Sequence, residues 1–483
     1  MLVPRVRLPD PDDILAATLL LIREDMRLPE SFPPEVEAEA HEAAADARLP
    51  SADLTQIPFV TVDPEGATDL DQALHIARLG DGYQVHYAIA DVPAFVVPGG
   101  AVDSEARERG QTLYAPAGRI PLHPTAISEG AASLLPDVVR GAFVWSFELD
   151  AAAKVVSTSL VRARIRSRAQ LSYAQVQEAI DTETADESLL LLREVGLLRI
   201  ALEQQRGGAS LNRPDEEVTV VDGAYTLIRR RPLPVEAWNA QLSLMTGMAA
   251  AQVMIDGGIG VLRTMPAPYE STINKFRRQA AALGCPWPTD QPYGEYLREI
   301  DQSDPRGLAT IHAAASLFRG AGYTAFEGVP ADTMQAAVAA PYAHATAPLR
   351  RLVDRFVLVT CEALLSATPV PEWVRTGLPT LPKIMARSDT RASMLERASV
   401  DTIEAALLGG FVGTQFDGVV ISAKDGGGVI QLTEPVVTAN IVGAVKAGQE
   451  VRATLITADM STGTTLFRLT ETPSGSDASG HVE

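Results

Sequence analysis

Thr61-Val62-Asp63-Pro64-Glu65-Gly66-Ala67-Thr68-Asp69-Leu70-Asp71 carries more information than any other stretch of this chain. Thr61 and Val62 finish an apolar, strand-like run, and Pro64 and Gly66 then force a turn. One carboxylate is thereby delivered at a strand end and two more on the returning loop, within reach of a shared cation. Crowded oxygen ligands of this kind suit Mg²⁺ or Mn²⁺ and repel one another unless a metal neutralises them. Carboxylate-held divalent ions commonly hydrolyse phosphodiesters. The bland alternative is a solvated acidic loop whose aspartates cap turns. With 61 Asp and Glu among 483 residues, acidic patches also arise by chance. A distant stretch favours the metal site: Tyr342-Ala343-His344-Ala345-Thr346-Ala347-Pro348-Leu349-Arg350-Arg351, with Asp354 three residues beyond.

From Val62 to Asp91 the chain resembles the catalytic core of the ribonuclease II (RNB) family of exoribonucleases. Gly110-Gln111-Thr112-Leu113-Tyr114, followed by Ile120-Pro121-Leu122-His123-Pro124, resembles the same family. Thr346-Ala347-Pro348-Leu349-Arg350-Arg351 is similar to its Thr-Ser-Pro-Ile-Arg signature, and Met394-Leu395-Glu396-Arg397 to its late Glu-Arg helix. Each motif alone is weak. Together, in the family's order and spacing over roughly residues 49 to 405, they are specific.

The resemblance implies a metal-dependent, hydrolytic 3′-to-5′ exoribonuclease that degrades single-stranded RNA to nucleoside 5′-monophosphates with Mg²⁺, or Mn²⁺ in its place. Asp63, Asp69 and Asp71 are the natural ligands, and by resemblance Asp71 occupies the position on which activity most depends. The family places a fourth aspartate next, where this chain has Gln72, whose carbonyl is a ligand without charge. Arg350 is the expected electrophile, since a guanidinium can hold two non-bridging phosphate oxygens and neutralise charge growing in the transition state. Its bland counterpart is an ion pair with Asp354 one turn on. Arg351 is expected as a backbone phosphate contact or a surface charge. Tyr114 is expected to stack on the terminal nucleotide, and Glu396 to accept from the 2′- and 3′-hydroxyls of its ribose. A core tyrosine and an intrahelical Glu–Arg pair are the bland readings of those two.

The chain also departs from the family. A second base-stacking aromatic is absent near Ala209-Ser210-Leu211-Asn212. A helix that usually carries adjacent glutamates reads Gln241-Leu242-Ser243-Leu244-Met245. Gln335-Ala336-Ala337-Val338 replaces a Gly-His-Phe-Gly-like segment. The rival function is therefore a regulatory RNA-binding protein that kept the fold and lost catalysis; a small-phosphate hydrolase is a poorer third.

Bulk properties bound the rest. A chain of 483 residues with 46% hydrophobic content is expected to be globular with two or three domains. No apolar stretch reaches the roughly 20 residues of a membrane span. The nearest, Ile14 to Ile22, follows Asp10, Pro11, Asp12 and Asp13, with Asp10 expected as N-cap and Pro11 in the first turn. No signal-peptide cleavage site follows it. Cys285 and Cys361 are too few for a disulfide framework and point to a reducing cytoplasm. The histidines lack zinc-ligand spacing, and a monomer is expected. A net charge of −20 opposes nucleic-acid binding at first sight, yet an arginine-lined groove can sit within an acidic shell.

The expected class is α+β, in four stretches. Residues 1–48 form a helical lead, either a helix-turn-helix-like module or, more simply, packing for the core, with no room for the cold-shock barrels of many relatives. Residues 49–408 form the catalytic block, strand-rich to Val161 and helical afterwards. Tyr83 to Ile89 and Ala142 to Leu149 alternate as half-buried strands do, and a helix is expected from Leu349, launched by Pro348. Residues 411–472 read as a five-stranded OB or S1-type barrel. Residues 473–483 read as a disordered tail.

Overall fold

A computed structural model describes residues 12–471 apart from 117, 210, 212–214, 222–223 and 231, together with Val6 and Arg7. The expected cap at Asp10 and Pro11 and the tail from Pro473 lie outside the described residues. Twelve α-helices are described: α1 (Asp12–Asp25), α2 (Pro34–Ala45), α3 (Ala101–Arg109), α4 (Tyr173–Asp181), α5 (Glu187–Arg206), α6 (Pro234–Gly257), α7 (Glu270–Ala282), α8 (Tyr293–Glu299), α9 (Pro305–Ala314), α10 (Leu352–Leu365), α11 (Glu372–Gly377) and α12 (Leu381–Gly409). With the sheets below they make a mixed α+β fold.

The acidic loop belongs to a seven-stranded sheet. In spatial order its strands are Ala169–Ser172, Val60–Asp63, Gln72–Leu79, Gly82–Ala90, Val139–Leu149, Val155–Arg166 and Ala52–Asp53. The outermost pair at each side is parallel and the others antiparallel. Val60–Asp63 and Gln72–Leu79 are neighbours, Val60 opposite Leu74, so the chain from Pro64 to Asp71 must reverse direction in the loop between them. Gly66, at φ 79°, occupies the left-handed region that this reversal needs.

Half-burial of the central strands needs correction. Tyr83, Val85, Tyr87 and Ile89 face one core together with Phe143, Trp145 and Phe147. Ala88, Ala90, Ala142 and Val144 on the opposite face are equally buried, in a second core with Val36 and Ala40 of α2 and Val102 of α3. Alternation here is of size, not polarity: small residues on the second face let helices approach closely. The far end is more open and does alternate in polarity: Gln84, His86 and Ser146 are half-buried and Glu148 is exposed.

The helical lead packs against the body. Leu15 and Leu19 of α1 bury against Ile403 and Leu407 of α12. Glu39 of α2 accepts from the Ala101 and Val102 N–H groups at 2.6 and 3.2 Å, which satisfies the first turn of α3. Asp103 of α3 in turn makes a buried ion pair with Arg355 of α10. Beyond α12, five strands from Gln415 to Glu471 close into a barrel. Its core holds Phe467, fully buried, with Phe416 packed against it.

Candidate active site

Pro348 does not launch the helix at Leu349. The Arg350 and Arg351 N–H groups both donate back to Ala347 O, at 3.2 and 2.9 Å, closing a turn. Arg351 is extended (φ −132°, ψ 125°), and α10 begins only at Leu352. Arg350 therefore rides on a turn in front of the helix. Two ladder bonds stitch this turn to the Gly110-Gln111-Thr112 segment: Thr112 N–H to Arg350 O at 2.9 Å and Leu352 N–H to Gly110 O at 3.0 Å.

Three side chains hold the turn from different directions. Asp354 of α10 is fully buried, and its Oδ1 accepts from the Thr346 and Ala347 N–H groups at 2.8 and 2.7 Å. The Arg351 fork donates to the same carboxylate, Nε to Oδ2 and Nη2 to Oδ1, both at 2.8 Å. Arg351 is thus an internal brace, contrary to its expected place as a surface charge, and it, not Arg350, makes the pair with Asp354. From the sheet side, Asp71 Oδ1 accepts from Leu349 N–H at 2.8 Å across 278 residues of sequence. Gln72 Nε2 donates to Thr346 O at 2.6 Å.

These bonds bring Arg350 to the acidic loop, with its Nε 3.4 Å from Asp71 Oδ2. Its side chain stays 45% exposed, whereas that of Asp71 is 6% exposed. Tyr114, 55% exposed, lines the same cavity of about 420 Å³ as Arg350, Arg351, Glu396, Gln111 and Thr112. Glu396 has no ion-pair partner among the described residues, so the intrahelical pair foreseen for it is not made.

The acidic loop converges less completely than its spacing suggests. Arg119, which sequence reasoning missed, binds Asp69 Oδ1 through Nη1 at 2.6 Å and Glu129 through Nη2 at 2.5 Å. Arg119 lies directly across a two-stranded ribbon from Tyr114. Gln72 is likewise engaged: its Oε1 accepts from the Tyr87 hydroxyl at 2.7 Å, which also lies 2.8 Å from Ser243 Oγ. Its carbonyl oxygen, expected as a metal ligand, is thus shared with the Tyr87 hydroxyl. Among the described residues no three His, Cys, Asp or Glu side chains are arranged to hold a metal ion.

Asp63 and Asp71 nonetheless fit a divalent cation. Asp63 Oδ2 is buried without a hydrogen-bond partner. Burial pushes Asp63 up to about 6 and Asp71 up to about 8, with Arg350 pulling both down. Two desolvated carboxylates whose charge is incompletely compensated are the donor chemistry that Mg²⁺ or Mn²⁺ takes.

Comparison with known proteins agrees with this architecture. Residues 51–367 match the RNB domain family, and residues 414–470 match the RNase II-type exonuclease C-terminal S1 domain. The chain is 29% identical over 377 residues to the exosome complex exonuclease RRP44 homolog A of Arabidopsis thaliana, covering 72% of this chain and 39% of that protein. It is 26% identical over 443 residues to ribonuclease R of Vibrio cholerae, covering 84% and 53%. It therefore spans about half or less of the length of these curated relatives. Among solved structures, apo RNase R of Mycoplasma genitalium superposes with a TM-score of 0.85 at 20% identity, over 95% of this chain and 78% of that one. Yeast Ssd1, described as a pseudonuclease, superposes with a TM-score of 0.65 at 17% identity, over 90% and 56%. The RNB match covers most of the chain, the barrel falls where the S1 match lies, and the two motif regions meet at Asp71 and Arg350: this chain belongs to the RNB family.

Proposed function

We propose that the chain is a metal-dependent 3′-to-5′ exoribonuclease that hydrolyses single-stranded RNA to nucleoside 5′-monophosphates. One observation carries this reading: the Arg350 guanidinium stands beside Asp71 at the edge of a cavity that Tyr114 and Glu396 also line. Asp63 and Asp71 would hold a divalent ion, which when bound supplies an activated water and stabilises the departing 3′-oxygen. Arg350, anchored through its backbone and half-exposed at its head, binds the scissile phosphate and opposes the charge that builds there. Tyr114 offers a ring face to the terminal base, a contact indifferent to sequence. Glu396, without an ion-pair partner among the described residues, accepts from ribose hydroxyls, which selects RNA over DNA. Structures of M. genitalium RNase R with ribose-methylated single-stranded RNA and with double-stranded RNA support RNA as the ligand class. The free thiols of Cys285 and Cys361 fit a reducing compartment, the cytoplasm.

Engagement of Asp69 and Gln72 favours a second reading, an RNA-binding protein without turnover, and the likeness to Ssd1 keeps it in view. One assay separates the two: 5′-labelled single-stranded RNA incubated with Mg²⁺ or Mn²⁺, then with chelator. The nuclease shortens the label progressively from the 3′ end and stops on chelation. Asp71→Asn and Arg350→Ala should each lower the rate by about 10²–10³-fold, as loss of a transition-state contact does. Binding without shortening in either metal would establish the silent protein.

A further inference from the structure

Arg119 is the one cation inserted among the acidic groups of the loop that has no place in the mechanism above. Its guanidinium spans two carboxylates, Asp69 at 2.6 Å and Glu129 at 2.5 Å, and its Nη2 also donates to Thr68 Oγ1 at 2.8 Å. Thr68 Oγ1 itself donates to Glu129 Oε2 at 2.8 Å, which closes a ring of contacts. The frame on both sides is fixed. Ser133 Oγ donates to Thr68 O at 2.7 Å and accepts from Leu70 N–H at 3.0 Å, so the backbone carrying Asp69 is held. Arg119 is placed by its ribbon pairing with Tyr114.

A guanidinium forked between carboxylates in a partly desolvated setting supplies the positive charge that a metal ion would otherwise bring there. Asp69 and Glu129 side chains are 16% and 27% exposed, so water screens the pair only in part. Independently, Gln72 brings no charge to the site, and its amide is already engaged, Oε1 by Tyr87 and Nε2 by Thr346 O. Asp69, through Oδ1, and Gln72, through Oε1, are thus engaged by protein partners, whereas Asp63 Oδ2 is bare.

We propose that this site takes one divalent cation, bound through Asp63 and Asp71, and that the Arg119 guanidinium stands in for a second. This rests on the metal-dependent reading above. Because Arg119 is covalently part of the chain, its charge stays at the site at any metal concentration.

Counting bound Mn²⁺ on the full-length chain by electron paramagnetic resonance, from loss of the free-ion signal during titration, tests this without reference to turnover. Wild type is expected to bind one Mn²⁺ per chain. Arg119→Gln, which keeps a donor for Thr68 and removes the charge, should bind two, and adding Asp69→Asn to it should return the count to one. Arg119→Lys should stay at one. Two ions in wild type would overturn the proposal and leave the nuclease reading intact, as would an unchanged count of one in Arg119→Gln. No bound ion in wild type would sink both. The wild-type count decides even where a variant fails to fold.

Discussion

Individual residues show how a family pattern and a particular chain diverge. Gln72 stands where the family resemblance implies an acidic ligand, and changing it to aspartate is the obvious experiment on sequence grounds, expected to lower the metal requirement. The structure reverses that expectation. Gln72 donates to Thr346 O and accepts from Tyr87, whose hydroxyl burial keeps protonated. Gln72→Asp removes the donor, sets a carboxylate against a carbonyl and gives up the brace on the arginine turn. It should lose roughly 1–3 kcal/mol of stability, the cost of an unmade buried hydrogen bond, with no gain in Mn²⁺ affinity. Urea denaturation and a metal titration on the same sample check this; a tighter metal site at unchanged stability would refute it. Asp71 and Arg350 were legible in the sequence because the order of motifs carried them. Arg119 was not, since an arginine amid a short ribbon has no local signal and its partner Asp69 lies 50 residues away.

At the scale of elements, some helix starts carry local cues in the sequence and the approach to the arginine turn does not. Glu187–Arg206 is bounded by local cues, the Asp186 cap at its start and Gly207 at its end, whereas Glu270–Ala282 has no side-chain cap. Ser172 forms a capping box with Gln175 at the start of α4, another local cue. The start of α10 is set instead by Asp354, one residue binding two backbone N–H groups and the Arg351 fork. Asp354→Asn leaves the Arg351 charge unpaired inside that brace. It should destabilise the protein by about 3 kcal/mol, as breaking a buried pair does, and lower nuclease turnover by loosening Arg350. Equilibrium unfolding beside a rate measurement tests both parts; a loss below about 1 kcal/mol would show the brace to be dispensable.

For the molecule as a whole, the site is a place of stored electrostatic cost. Asp71 titrates near 8 against an ordinary 3.8, because it is buried. The folded state therefore holds this proton to a higher pH than the unfolded chain does. Stability from Asp71 is full below about pH 4 and is lost as pH rises through 8. His123 has the opposite sign: burial pushes it down to about 3, so its contribution is full above 6.5 and is lost on acidification. Between pH 6.5 and 8 the aspartate acts without the histidine. In chelator, stability should fall by roughly 2 kcal/mol across that interval. Asp71→Asn should flatten the decline, and saturating Mn²⁺ should offset it. Urea midpoints measured along a pH series decide the matter: parallel curves for wild type and Asp71→Asn would exclude Asp71 as the source.

The sequence by itself determined the class of fold, the five-stranded barrel and the identity of the two motifs that meet. Those features depend on hydrophobic period, turn residues and caps, all of which act within a few positions. Tertiary structure decided which charges face one another: Arg350 on Asp71, Arg351 on Asp354, Arg119 on Asp69 and Glu129. It also covered the second face of the central sheet, which the alternating pattern left to solvent. Coulombic pairing and burial depend on distance and desolvation in space, quantities that a linear order of residues does not contain.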